Sequence, residues 1–276
     1  MNKISSSMAS VNSFNEQMKM QILLAKTLHS SGKNDSGATR SLFTALLDSD
    51  LPPHELETER LRQEASIVIG AGVETVAYSL TVCSYHVLSN PVILNRLKAE
   101  LVTRIKDASQ IPSFDTLRQF PYLTCVVNEA LRFSYGTTQR MHRLSPTPMT
   151  YSHSGVTYYL PVGCVVSMDN YTASHDSWVF GSPYEFRPER WENDPRAPDG
   201  KPLTTYLISF GRGTRSCVGM QLAYAELYIG VASFFRRFDC ELFETGRDAV
   251  DCYQDKFVPR PKPGTKGVRA TVLKHA

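Results

Sequence analysis

The six cysteines of this 276-residue chain, at positions 83, 125, 164, 217, 240 and 252, form no Cys-x-x-Cys pair and sit in apolar or mixed segments. Their spacing points to a reduced, intracellular protein rather than a disulfide-stapled one. The opening residues, MNKISSSMASVNSFNEQMKM, lack the apolar core of a secretory signal. No segment reads as transmembrane: Glu74 and His86 interrupt the stretch from Ala65 to Leu88, and Glu226 interrupts Leu222 to Phe235. An excess of one charge is lacking too, since 30 basic against 27 acidic residues leave a net charge of +3. Basic residues such as Lys33, Arg40, Arg60, Arg62 and Lys98 form no stripe with interleaved aromatics, which argues against a nucleic-acid partner. Internal repeats and low-complexity blocks are absent. What remains is an ordinary globular composition, 42% hydrophobic and 21% charged, sufficient for one large domain or two small ones.

The patterning is mainly α with small β-sheets. Residues 1 to about 28 suit a helix, and HSSGKNDSGATR (29–40) reads as a flexible loop. SLFTALLDSD makes a short helix that LPPHE stops. One long helical pattern runs from Leu56 to Leu88, with Gly70 and Gly72 as weak points. Asn90 then caps a new helix with Pro91 at its first position and apolar residues at helical spacing from Ile93 to Ile105. LTCVVNEALRFS is helical again. From Met149 the β-branched and aromatic runs, broken by Ser-Gly and Pro-Val-Gly, predict short strands and hairpins. A proline-rich irregular stretch follows, then a helix from Val218 to Phe235 and weak strands to the end.

The segment most loaded with chemistry is FGRGTRSCVG, residues 210–219. Gly211 and Gly213 permit tight turns and the close approach of a flat ligand. The helix that follows directs free N–H groups and a positive dipole end at Cys217, and Arg215 adds a cation, so the thiolate form is favoured. A thiolate serves as a nucleophile or as a metal ligand. A nucleophile needs a neighbouring base, and no residue here is singled out for that part.

Phe210-Gly211-x-Gly213-x-Arg215-x-Cys217-x-Gly219 resembles the haem-ligand loop of the cytochrome P450 family at every position that pattern fixes. The resemblance implies that Cys217 is the axial ligand of a haem b iron. It implies that Phe210 shields the sulfur, that Gly211 and Gly219 shape the loop, and that Arg215 pairs with a haem propionate. A thiolate ligand donates electron density that favours O–O cleavage. AGVETV (71–76) resembles the long helix that crosses the distal haem face. Gly72, Thr75, Val76 and Ser79 share one small-residue face beside Ala71. The polar Glu74 and Thr75 interrupt an apolar run, and the resemblance implies that they relay protons to bound dioxygen. NEALRF places Glu129 and Arg132 one helical turn apart, and FRPERW supplies Arg190 between Pro188 and Trp191. In the family such a trio is a buried charge network, here expected to lock the loop that holds the cysteine. Arg143 in MHRLSP is implied as a second propionate partner.

The resemblance spans about Leu42 to Leu273 and implies the C-terminal portion of the P450 fold, closest in flavour to fungal secondary-metabolism members such as trichodiene oxygenase. The expected organisation is a helix plus flexible loop over 1–40 and a partial haem domain over 41–276, with the N-terminal half of the fold missing. The implied activity is a haem-thiolate monooxygenase that inserts one atom of O2 into a small apolar molecule such as a terpenoid or polyketide. NADPH would supply the electrons through cytochrome P450 reductase. The competing reading is a truncated, non-catalytic remnant or a haem-binding protein without turnover. A haem-thiolate isomerase is disfavoured because it has less need of Glu74 and Thr75. The family is usually anchored in the endoplasmic reticulum membrane. Without that anchor, the expected location is cytoplasmic or peripheral. Apolar residues such as Ile67, Tyr224 and Leu227, which would face the missing half, are expected to be left exposed. The chain should therefore aggregate readily and hold haem weakly unless a partner covers it. A soluble monomer with full haem occupancy and one cooperative melt would contradict that expectation.

Overall fold

The computed structural model describes residues 2–31 and 41–275. Most of the expected 29–40 loop, and with it the expected boundary at 40/41, lies outside them. Two compact units are present, Met1–Val73 and Glu74–Ala276, and they meet within one helix. The first unit holds α1 (Asn2–Ser30), α2 (Leu42–Leu47) and the start of α3 (Thr58–Leu88). Ser41 caps α2 by accepting from the Thr44 N–H at 3.1 Å. Ile22, Leu61 and Ala65 are buried together with few other side chains. Lys26 donates to Thr58 at 3.1 Å and Arg62 to Asn15 at 2.8 Å, polar ties that compensate for a thin apolar contact.

By length and composition alone α3 would suffice to cross a membrane. Its most apolar 18-residue window has a mean hydropathy of 1.5 and is 22% buried, which corrects the expectation that no segment reaches that threshold. Its second half is nonetheless packed against protein: Val76, Val82, Cys83, Tyr85 and Val87 are all buried.

In the second unit α4 (Pro91–Arg104) and α8 (Met220–Arg237) pack on α6 (Pro121–Ser134) and on each other, and α5 (Phe114–Leu117) packs on α8. Only Pro121, Thr124 and Asn128 of α6 escape burial. Phe120 at the N-cap has no side-chain acceptor to cap α6, and Glu100 from α4 supplies one. Its two carboxylate oxygens accept from the Tyr122 and Leu123 N–H groups at 3.0 and 2.8 Å. Gly230 brings α8 close to α3: a Cβ there would sit 3.0 Å from the Leu80 side chain. At the far end of α8, Arg236 and Arg237 donate to the carbonyls of Ile105 and Ala108, both at 2.8 Å, and so close the loop after α4. The helix begins at Met220 and ends at Arg237, two residues later at each end than the pattern suggested.

Among the described residues the strands form four separate antiparallel pairs. β1 (Arg143–Leu144) pairs with β4 (Val165–Val166), and β2 (Met149–His153) with β3 (Val156–Leu160). The β2–β3 turn is Ser154-Gly155, with φ of 50° and 77°, the geometry a two-residue hairpin favours. β5 (Phe238–Leu242) pairs with β8 (Ala270–His275), and β6 (Gln254–Lys256) with β7 (Val258–Arg260). A mainly helical chain with small sheets is therefore what folds.

A second, smaller cluster joins α3 to the irregular stretch. The His86 ring stacks on Phe186 (centroids 4.6 Å apart, planes 3° apart) and leans on Phe133 at 4.9 Å. His86 is 8% exposed. Burial, then Arg247 and Arg132, push its pKa from 6.5 down to about 3. The folded state thus keeps His86 neutral while the unfolded chain protonates it near the ordinary value. Its contribution is complete above that value and is lost as pH falls toward the folded pKa. The melting temperature of the wild type should fall more steeply between pH 7 and 5 than that of His86→Phe. Equal slopes in a thermal melt series would show that His86 carries no such linkage.

Candidate active site

The cysteine loop leaves the core at Ser209 and returns at α8. Gly211 donates to the Ile208 carbonyl at 2.8 Å and Cys217 to the Phe210 carbonyl at 2.8 Å, so the loop is pinned at its neck. Between these bonds the chain turns twice through positive φ, 69° at Gly211 and 75° at Gly213, where a side chain would be strained. Phe210 folds against Tyr224 of α8, ring centroids 5.1 Å apart. Gly219 is the N-cap of α8 and offers no side-chain cap, so the first N–H groups of that helix remain open next to the sulfur. Cys217 is the exposed cysteine of the six. Burial pushes the thiols of Cys83 and Cys125 up to about 12, which makes them inert by contrast.

Strands β1 and β4 bring a second cation to the same region. His142, Arg143, Leu144, Val165 and Arg215 line one cleft of about 470 Å³. Arg143 donates only to the adjacent His142 carbonyl, at 3.0 Å, and neither Arg143 nor Arg215 has a carboxylate partner among the described residues. Leu144, Val165 and Val218 expose their apolar side chains nearby in sequence or in the cleft wall. One accessible thiol, two guanidinium groups without counter-ions and exposed apolar side chains suit a flat apolar ligand bearing carboxylates, as haem is. The donor set fits that group.

Glu74 and Thr75 stand on α3 in the second unit, and Ala71 and Gly72 a turn earlier in the first. A Cβ on Gly72 would meet nothing within 4 Å. A glycine there weakens the helix by about 1 kcal/mol relative to alanine without relieving any crowding among the described residues. The Glu74 carboxylate is ion-paired with Arg260 of β7, a partner that no sequence pattern had marked. The Thr75 carbonyl accepts from the Ser79 hydroxyl at 3.0 Å.

Glu129, Arg132 and Arg190 come together in the core, with side chains 0%, 1% and 3% exposed. Arg132 grips both Glu129 oxygens, at 3.0 and 2.8 Å, and Arg190 donates to one at 3.0 Å. The Trp191 indole N–H at 2.8 Å and the Arg187 backbone N–H at 2.8 Å complete the shell. Burial lowers the Arg190 pKa, and Glu129 works against that. The remaining guanidinium protons go to backbone carbonyls: Arg132 to Ser174, Pro183 and Glu185, and Arg190 to Gly181, Ser182 and Glu185. This corrects the expectation that the trio locks the cysteine loop. It locks residues 174–185, from the end of the short helix Asn170–Ser174 into the irregular stretch beyond it. The cysteine loop is tied to the same helix by other residues: Ser209 donates to the Leu131 carbonyl at 2.7 Å, and Gly136 (φ 70°) lies where any Cβ would strike the Ser209 carbonyl.

The family model described as Cytochrome P450 matches residues 6–266. The chain belongs to the cytochrome P450 family. A cytochrome P450 monooxygenase of Eupenicillium brefeldianum, orf4, is 46% identical over 270 residues, covering 96% of this chain and 51% of that protein. The cytochrome P450 monooxygenase sdnE of Sordaria araneosa is 43% identical over 84% of this chain and 44% of its own length. The tryptophan 6-hydroxylase fscE of Fusarium equiseti is 38% identical over 87% and 46%. The chain thus spans about half the length of the curated relatives it matches.

Within this P450, the buried trio should dominate stability. Removing one member of a buried charge network costs about 3–5 kcal/mol, so Glu129→Ala should lower the urea midpoint drastically or abolish folding. Trp191→Phe, which removes one donor to a charged acceptor, should cost about 1.5–3 kcal/mol. Glu74→Gln, at an exposed pair, should cost under about 1 kcal/mol. Urea melts of the three variants check that order.

Proposed function

We propose that this chain is the haem-carrying part of a P450 monooxygenase. Cys217 would hold the haem iron as thiolate, and Arg143 and Arg215 would neutralise the propionates. The observation that carries this reading is an accessible thiol in a pinned glycine loop whose Arg215 shares a cleft with Arg143, neither with a carboxylate partner among the described residues. Thiolate-ligated haem supplies the reductive activation of dioxygen and the transfer of one oxygen atom to a C–H bond. The other atom leaves as water, which consumes two electrons and two protons. NADPH supplies the electrons through a reductase. The protons would pass along α3, where Glu74 is exposed and ion-paired and the next residue, Thr75, is half-buried. Gly72 leaves the α3 surface bare, so that a substrate or dioxygen can lie against it. The substrate is a small apolar molecule such as a terpenoid or polyketide, although fscE is named for tryptophan. We place the protein inside the cell, cytoplasmic or peripheral to a membrane.

The competing reading is haem binding without turnover. A spectrum separates these from a chain that binds no haem. Reduced under carbon monoxide, the haem-loaded chain should show the red-shifted Soret band of a thiolate ligand. The band should vanish in Cys217→Ala and persist in Cys83→Ala. An unshifted band in the wild type would overturn the ligand assignment. NADPH-dependent product formation with a reductase would favour the monooxygenase; a normal band without product, the second reading.

A further inference from the structure

Three serines join α3 and the cysteine loop to α6: Ser79, from the small-residue face of α3, and Ser134 and Ser209, which no motif marked. Ser79 on α3 and Ser134 at the end of α6 are buried, and their hydroxyl oxygens are 2.8 Å apart. Ser79 also reaches the Thr75 carbonyl at 3.0 Å, and Ser134 reaches the Leu131 carbonyl at 3.3 Å. That same Leu131 carbonyl accepts from Tyr135 N–H at 3.1 Å and from the Ser209 hydroxyl at 2.7 Å. Each hydroxyl has one proton, and a carbonyl oxygen has two lone pairs. Ser79 donates to Ser134, and its one proton is shared with the Thr75 carbonyl, while Ser134 turns its own proton to the Leu131 carbonyl as the longest of three donors there. A hydrogen-bonded line therefore runs from the Thr75 turn of α3 through Ser79 and Ser134 to the Leu131 turn of α6. Hydroxyl bonds of this kind to the carbonyl four residues back bend helices locally.

We propose that Ser134 and Ser79 are positioning residues that hold the Thr75 turn of α3 in register with the cysteine loop, with the Leu131–Tyr135 turn as the shared anchor. Ser209 forms the arm to Cys217, and Ser79 forms the arm to Thr75. The proposal rests on the reading that Thr75 and Cys217 serve one cofactor, but the coupling itself is a property of the polypeptide. It can be measured without haem.

The test is amide hydrogen exchange on the haem-free chain, followed in peptides covering 74–80 and 208–219, with the β5–β8 pair as reference. Ser79→Ala does not touch the cysteine loop, yet exchange should rise in both peptides by about fivefold, the equivalent of one ordinary hydrogen bond. Ser79→Thr, which keeps the hydroxyl, should restore it. The double variant Ser79→Ala with Ser134→Ala should add little to either single change, because both break one chain. Ser209→Ala, on the less buried arm, should raise exchange at 208–219 and at 74–80 and serves if the Ser134 variant does not fold. A rise confined to 74–80 in Ser79→Ala would overturn the proposal. So would a uniform rise that includes β5–β8, or a failure of Ser79→Thr to rescue. A missing Soret shift in the wild type would overturn the haem reading and leave these exchange results standing.

Discussion

A buried carboxylate with no water to solvate it must be matched oxygen by oxygen, and Glu129 is that group. Two guanidinium groups, an indole N–H and a backbone N–H converge on it. The charges alone would not justify their burial, since desolvation consumes most of what the ion pairs return. What the network adds is shape. Once Arg132 and Arg190 are held by Glu129, their other protons need acceptors, and most of the acceptors are the carbonyls of an irregular segment without helix or strand to satisfy it. A stretch rich in proline and turns is therefore ordered by side chains from elsewhere.

Helix α6 can carry this load because it is buried almost all round and anchored at each end. Glu100 caps its start, and its last turn, through the Leu131 carbonyl and the close approach of Gly136, receives the neck of the cysteine loop. The loop that presents Cys217 is thus fixed at its neck and exposed at its tip. Such an arrangement is suited to receiving a large rigid ligand without reorganising the backbone.

The family-specific parts of the site were legible in the linear sequence because each is local. Two glycines, Arg215 and Cys217 lie within seven positions, and Glu129 and Arg132 share one turn of helix. The strands after Met149 were legible from alternation and from the Ser-Gly turn. Less legible was where α8 begins: Val218 continues the apolar pattern, but Gly219 is the cap. The apolar length of α3 also misled, because interruption by Glu74 and His86 lowers hydropathy less than the eye assumes. Arg260, Trp191 and the carbonyl cage of 174–185 escaped notice because their partners lie far off in sequence. An arginine in Val-Pro-Arg carries no local mark of pairing with a glutamate on another element.

Short-range chemistry was therefore written in the sequence alone: the thiol in its glycine loop, the helical periods, the charged turn of α6. Residue types and spacings decide these because their physical causes act within one or two turns of chain. Tertiary structure decided which charges are paired and which are left open. It buried Glu129, joined Glu74 to Arg260, and left Arg143 and Arg215 without carboxylates. It also brought Ser134 and Ser209 to the Leu131 carbonyl and set Ser79 against Ser134. These outcomes depend on which segments meet across α6, and hydrogen-bond geometry over a few ångströms selects among partners that composition cannot tell apart.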